Sequence, residues 1–280
     1  MAEARNIWSP RPLRLYRQFL GKLRAARTLA QFIVSFRNWR EVWSAYRKRV
    51  PLPPFALRNG LSLHHGPADD PILLIREIYL DRVYTRGGFY RPKLTDTVLD
   101  LGANIGFYAL WLQGQALGIR VHSFEPASEN RERLVQNVRV NGLEEYISVY
   151  PFAVSDGLKL VNLHRAESSG HRSLFDRATT LEGIEEVEAV DLAFAVKQTG
   201  AALIDMLKID VEGSEIEIVE GAGAEVWQKI KRVVVEYHDL FRPGCRQRVE
   251  EVLKREGFAR IETIPELGVS GLGLIRASRF

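Results

Sequence analysis

The 280-residue chain is 46% apolar, 26% charged and 10% aromatic, enough to bury a full core and unlike a disordered or collagenous sequence. A single cysteine, Cys245, excludes an internal disulfide and any thiolate-clustered zinc or iron–sulfur site, and fits a reducing compartment. The net charge of +4 hides an asymmetry: residues 1–50 hold twelve Arg or Lys against Glu3 and Glu41, whereas the other 230 residues carry 27 basic and 33 acidic side chains.

Thr28 to Phe36, the most apolar stretch of this basic arm, is far shorter than the ~20 residues of a membrane-spanning helix. Gln31, Ser35 and the flanking Arg27 and Arg37 do not suit a signal core, so a cytoplasmic chain is expected. From Leu13 to Arg49 the pattern predicts an amphipathic helix or helix pair, with Leu13, Tyr16, Leu20, Leu23, Ala30, Ile33 and Phe36 on one stripe. Such a segment, residues 13–49, suits the anionic inner face of a membrane, pairing with a second subunit, or packing on the acidic body. Pro51, Pro53 and Pro54 end it. The predicted organisation is an arm over 1–50, a cover over 51–94 and an α/β domain over 95–280.

Within the cover, two strand-like runs between Phe55 and His65 flank Arg58-Asn59-Gly60, where Asn-Gly predicts a tight hairpin with positive φ. Asp69 to Tyr84 reads as a helix capped by Asp69 or Asp70, with Ile72, Ile75, Ile78 and Tyr79 on its apolar face.

From Thr97 onward apolar runs alternate with helical patterns. Strands are predicted at 97–101, 120–125, 147–154, 205–211, 232–238, 258–263 and 269–276, with helices at 128–140, 214–230 and 244–256. Strands spaced by helices imply a parallel sheet covered on both faces, with ligands at the carboxyl ends of the strands. The last two runs, separated by Ile264 to Gly268, predict an antiparallel edge, an ending shared with the Rossmann-like class I methyltransferase fold.

The first strand runs into Asp100-Leu-Gly102-Ala-Asn104-Ile105-Gly106-Phe107. Gly102 lets the backbone turn and approach a ligand, Asn104 tolerates the left-handed region, and Gly106 permits close packing as a helix begins. An acid just before such a turn can accept hydrogen bonds from a ligand ammonium, which a dinucleotide pyrophosphate lacks, favouring S-adenosylmethionine over NAD. Glu125, nineteen residues after Gly106 at the end of the second strand, is placed to take both ribose hydroxyls. Strand alternation puts Lys208, Asp210 and Glu212 on one face. A buried lysine must be paired, and Asp100 and Glu236 are both within the fourth strand's reach. Ser214 and Glu215 suit a helix start, and His238, beside Glu236 and Asp239, could take a proton at the active rim. The remaining histidines show no metal-ligand spacing.

Residues 97–240 resemble the FkbM family of S-adenosylmethionine-dependent methyltransferases. The resemblance is carried by Asp100-Leu-Gly-Ala-Asn-Ile-Gly106, Phe124-Glu125-Pro126, Asn137 with Asn141-Gly-Leu143, Ala153-Val-Ser-Asp156, Ser173-Leu174 and Leu207-Lys-Ile-Asp-Val-Glu-Gly-Ser-Glu215. Arg58-Asn-Gly-Leu61 and Arg76-Glu-Ile78 to Tyr84 resemble the lead-in of bacterial members. The family implies O-methylation of sugar, polyketide or other secondary-metabolite hydroxyls. The expected cofactor site is Asp100, Gly102, Asn104, Ile105, Gly106, Phe107, Glu125, Pro126, Phe152 and Ala153, and the expected catalytic group is Asp210, His238, Glu212 and Lys208. The polar segment from Leu163 to Glu188, with Ser168-Ser169-Gly170 and His171, is expected to loop over the site. Asp210 and Glu212 could hold a divalent metal, but no further acidic ligand is identifiable, so none is expected.

The expected chemistry is in-line methyl transfer, with Asp100 and Glu125 holding the cofactor and Phe107 and Phe152-Ala153 near its adenine or methionine portions. Asp210, assisted by His238, would orient or deprotonate the acceptor hydroxyl. One alternative is an RNA or protein methyltransferase docking through the basic arm. The acidic body and the lack of an Asn-Pro-Pro-Tyr type motif count against nucleic acid. Another is a non-catalytic protein that binds the cofactor as a scaffold.

Overall fold

In the computed structural model, residues 26–166, 181–266 and 270–280 are described, and they fall into two units, one ending at Leu61 and the other starting at Ser62. In the first unit, residues 26–35 form helix α1 and Trp39–Lys48 form α2. The chain breaks between them because Asn38 substitutes for a backbone ladder: its Nδ2 donates to the Pro54 carbonyl (2.9 Å) and its Oδ1 accepts from the Ala56 amide (3.0 Å). The apolar stripe is shifted from the expected one. Phe32 and Phe36 are buried while Ala30 and Ile33 are exposed, because Phe32 packs edge-on against Phe36, Trp43 and Tyr46, and Phe36 stacks on Phe55. Leu13, Tyr16, Leu20 and Leu23 lie outside the described residues. The turn at 57–61 is also not the expected Asn-Gly type. Only Gly60 has positive φ (98°), and Asn59 instead accepts the Leu61 amide at 3.2 Å.

Strand β1 (Phe55–Ala56) lies in the first unit; the second opens with strand β2 (Ser62–Leu63) and goes on to a short helix, α3 (Pro71–Leu74), whose start is capped by Asp70 accepting from the Leu73 amide at 3.1 Å. Asp69 is not the cap; it accepts from the Gly66 amide (2.6 Å) and pairs with Arg133 (3.3 Å). The helix then widens into a π-helical turn over Ile75–Asp81 and stops at Arg82, which is left-handed, rather than running to Tyr84. A π turn shifts the side chains that follow it around the axis, and such turns recur at functional sites.

The main sheet has seven strands: β3 (Thr97–Leu101), β4 (Arg120–Phe124), β5 (Ile147–Tyr150), β9 (Met206–Ile209), β10 (Arg232–His238), β11 (Arg260–Pro265) and β12 (Leu272–Ser278). Their order is β11-β12-β10-β9-β3-β4-β5, parallel from β5 to β10, with β12 antiparallel to both β10 and β11. Val98, Leu99, Leu101, Leu207, Ile209, Val233, Val234 and Val235 are fully buried, as a parallel sheet covered on both faces requires. Helices α4 (Phe107–Gln115), α5 (Ser128–Val140), α6 (Leu192–Gln198), α7 (Glu215–Gly221) and α9 (Cys245–Arg255) connect the strands.

Three expected boundaries differ. The run 147–154 is two strands, because Pro151 lacks the amide a ladder needs; β6 (Ala153–Ser155) joins a separate sheet of order β6-β8-β7. The expected loop from Leu163 to Glu188 instead contributes to two strands, β7 (Lys159–Ala166) and β8 (Leu181–Asp191), paired antiparallel; Ser168 to Leu174 lies outside the described residues. The expected helix 214–230 is broken at Gly221-Ala222-Gly223, where Ala222 is extended, into α7 and α8 (Ala224–Trp227).

Two asparagines explain part of the α5 motif. Asn137, fully buried, accepts the His64 amide (2.7 Å) and donates to the carbonyls of His64 (2.9 Å) and Ile105 (2.8 Å). Asn141 pairs in the same way with the amide and carbonyl of Ser62, at 2.7 and 2.8 Å. These side chains serve as an extra strand for residues 62–64 and tie it to the turn after β3. No helix among the described residues is long and apolar enough to cross a membrane.

Candidate active site

The carboxyl ends of β3, β4, β9 and β10 open into a cavity of about 430 Å³. The turn after β3 supplies one wall. Gly102 sits at φ 77°, and a Cβ there would run into the Asp210 carbonyl oxygen, so β3 and β9 can leave the sheet side by side only with glycine at this point. Asn104 is also left-handed (φ 50°), and its buried Oδ1 has no hydrogen-bond partner. Gly106 precedes α4 at φ 86° and admits Leu134 of α5 against its backbone. Glu125 bridges two turns: its Oε2 accepts the Asn104 amide (2.8 Å) and its Oε1 the Ala127 amide (3.0 Å).

Gly102, Asn104, Ile105, Phe107, Glu125, Pro126, Phe152 and Ala153 line this cavity, as do Lys208, Asp210, Glu212 and His238. Gly106 and Asp100 do not line it. Asp100 is fully buried behind the turn, where Lys208 Nζ lies 3.1 Å from its Oδ1, 3.2 Å from Asp210 Oδ2 and 2.9 Å from the Gly102 carbonyl. Of the two pairings open to Lys208, the structure takes Asp100. Burial outweighs Lys208 and pushes the Asp100 carboxyl up from its ordinary range, while burial of Lys208 is outweighed by the two carboxylates, which hold it protonated. Asp100 therefore faces a ligand only through Lys208 and the Gly102 backbone.

His238 is engaged at both ring nitrogens. Nδ1 lies 2.8 Å from Glu215 Oε1 and Nε2 3.3 Å from Glu212 Oε2. Burial lowers its pKa, but the hydrogen bond and charge of Glu215, with Glu212 and Glu236, carry it to about 10. A ring charged at neutral pH cannot take a proton from a hydroxyl, so the expected base role does not suit this geometry. Glu215 is held by the Gly213 amide at 3.0 Å, and Ser214, despite its position, makes no capping hydrogen bond. The loop carrying this pair is strained: Glu212 has φ 57°.

Sequence reasoning did not single out Tyr84 or Glu77. The Tyr84 hydroxyl donates to Asp210 Oδ2 at 3.0 Å, and its ring lies 5.2 Å from Lys208 Nζ. Glu77, on the π turn, lines the cavity; burial, then the charges of Asp210 and Glu266, raise its carboxyl to about 7 despite Arg76. Both belong to the Arg76 to Tyr84 segment, whose resemblance to a family lead-in was the only available signal. A further acid does join the strand-end cluster: Asp210, Glu236 and His238 each bring one ligand-type atom within 4.8 Å of the others.

Residues 100–261 match the family model described as the methyltransferase FkbM domain. The chain is 30% identical over 231 residues to the 31-O-demethyl-FK506 methyltransferase FkbM of Streptomyces tacrolimicus, covering 72% of this chain and 87% of the relative. Methyltransferase sdnD of Sordaria araneosa is 24% identical over 237 residues, 74% of this chain and 89% of that one. Among solved structures, the methyltransferase FkbM from Methylobacillus flagellatus KT superposes with a TM-score of 0.52 at 18% identity over 70% of this chain, a likeness of fold. This chain spans 46% of the length of that one.

Proposed function

As a member of the FkbM methyltransferase family, this chain has the class I methyltransferase fold and takes S-adenosylmethionine as cofactor, and we propose that it methylates a hydroxyl of a small-molecule acceptor, a glycan or secondary metabolite. The observation that carries this reading is that one cavity joins the Gly102 to Phe107 turn and Glu125 to the carboxylates at the ends of β9 and β10. The name of the Streptomyces relative, which specifies an O-demethylated acceptor, supports oxygen as the methylated atom.

The residues present fit the cofactor. Gly102 lets the turn after β3 pack against the Asp210 backbone along the cavity wall, and Asn104, whose buried Oδ1 has no hydrogen-bond partner, lines the same wall. Glu125, fixed by two amides, lines the same cavity with the carboxylate a ribose diol would need. When bound, S-adenosylmethionine supplies a methyl group activated by its sulfonium.

The chain's own residues align the acceptor and remove its proton. Lys208 and Tyr84 both contact Asp210 Oδ2, which leaves Oδ1 to orient the hydroxyl. Glu77, with a carboxyl near neutrality, takes the proton. His238 keeps Glu212 and Glu215 in place as their charged partner. Incubation with methyl-labelled S-adenosylmethionine and a panel of hydroxylated acceptors, read by mass spectrometry and NMR, tests the reading. A labelled O-methyl product from wild type, and loss of turnover with preserved S-adenosylhomocysteine affinity in Asp210→Asn, are expected. Label found only on nitrogen or carbon would overturn it.

A further inference from the structure

We infer that Asp210, Glu236 and His238 form a site for one divalent cation of the Mg²⁺ or Mn²⁺ class at the acceptor end of the cavity. Their ligand atoms all lie within 4.8 Å of one another, close enough for one cation to draw them in to the roughly 2.0–2.2 Å of its own bonds by small side-chain shifts. The set of two carboxylates and one imidazole suits hard or intermediate divalent ions and lacks any thiolate.

Each ligand is already oriented by a neighbour. Tyr84 and Lys208 occupy Asp210 Oδ2, which turns Oδ1 loose for a ligand. His238 Nδ1 is committed to Glu215, so a cation would take Nε2 by displacing its proton to solvent together with the 3.3 Å contact to Glu212, and a buried carboxylate behind the ring is the arrangement that fixes metal-bound histidines. Glu236 has neither a hydrogen bond nor an ion pair with any described residue, although it lines the cavity between these two. Glu212 Oε2, 3.3 Å from Nε2, borders the same point. Independently of the acids, Ser214 is 1% exposed, lines the same cavity and carries a buried hydroxyl with no hydrogen-bond partner among the described residues, a second unsatisfied polar group on this wall.

Three protein ligands leave coordination positions open to the acceptor. A cation there would take the acceptor oxygen directly and favour its deprotonated form. This consequence rests on the proposed methyl transfer; the cation site itself rests on the side chains alone.

The test is titration of the full chain with MnCl₂, following the signal of free Mn²⁺ by electron paramagnetic resonance. One Mn²⁺ per chain is expected. Glu236→Gln and, as a second variant, Asp210→Asn should bind at least about tenfold more weakly, with S-adenosylhomocysteine affinity retained as proof of folding. Absence of saturable binding in wild type, or unchanged affinity in both variants, would overturn the site. Mn²⁺ binding without methyl transfer to any acceptor would support the site and count against the proposed transfer, so the two can fail separately.

Discussion

Asp100 and Lys208 are register partners on adjacent parallel strands, and their side chains meet in a buried ion pair, Nζ to Oδ1 3.1 Å, beneath the floor of the cavity. The pair is 0% and 4% exposed at the side chains, so neither charge can be relieved by water. Lys208→Met should therefore destabilise the chain by about 3–5 kcal/mol, because Asp100 is left buried without its cation. The double variant Lys208→Met with Asp100→Asn should recover a large part of that loss in denaturant unfolding. No recovery would mean that Lys208 acts through Asp210 and the Gly102 carbonyl instead.

Gly102→Ala tests the crossing of two backbones. The new methyl would meet the Asp210 carbonyl oxygen and also force alanine to φ 77°, so β3 and β9 must move apart at their ends. A loss of roughly 2 kcal/mol or more is expected from strain of this kind. Calorimetry should record weaker S-adenosylhomocysteine binding in the same variant. Full affinity would show that the turn has more room than the contact implies.

Glu212 holds a left-handed backbone that asparagine adopts more readily than glutamate or glutamine. Compared under the same conditions, Glu212→Asn should be more stable than Glu212→Gln by roughly 0.5–1 kcal/mol, although Gln is the closer mimic in size. Both should lose turnover, since both remove the carboxylate facing His238 Nε2. The opposite stability order would place the cost of this loop in contacts rather than in its backbone.

The parts of this architecture legible in the sequence are those set by local pattern. The runs at Thr97, Arg120 and Arg232 read as strands because near-continuous apolar residues are what doubly covered strands need, and alternation alone put Lys208 and Asp210 on one face. The hairpin of β7 and β8 was hidden because its outward positions, such as Leu160 and Ile184, are exposed and apolar among many charges, which blurs the period. The positions of Glu77 and Tyr84 were not legible because a π turn sets them, and a π turn leaves no periodic mark. The charge on His238 depends on Glu215, whose orientation follows from the Gly213 amide rather than from composition. Pairing of Asp210, Glu236 and His238 needed β9 and β10 to be neighbours, which fold-level order suggests and only coordinates measure.

Glu77 supplies a pH-dependent prediction with a definite sign. Burial first, then Asp210 and Glu266, with Asp70 adding and Arg76 opposing, raise its carboxyl from 4.5 to about 7. A raised acid favours folding most fully below about pH 4.5, and that contribution is lost as pH climbs through 7, because the folded chain then holds a charge it solvates poorly. Glu77→Gln removes the titration. Its stability should match wild type near pH 4.5 and exceed it at pH 8 by up to roughly 3 kcal/mol, in denaturant melts across that range. If the same carboxyl accepts the acceptor's proton, wild-type kcat should rise with pH through about 7, and the variant should lose both most of its turnover and that acid limb. A variant with an unchanged limb but the predicted gain in stability would leave Glu77 as an electrostatic burden of the cavity and assign the proton to another group.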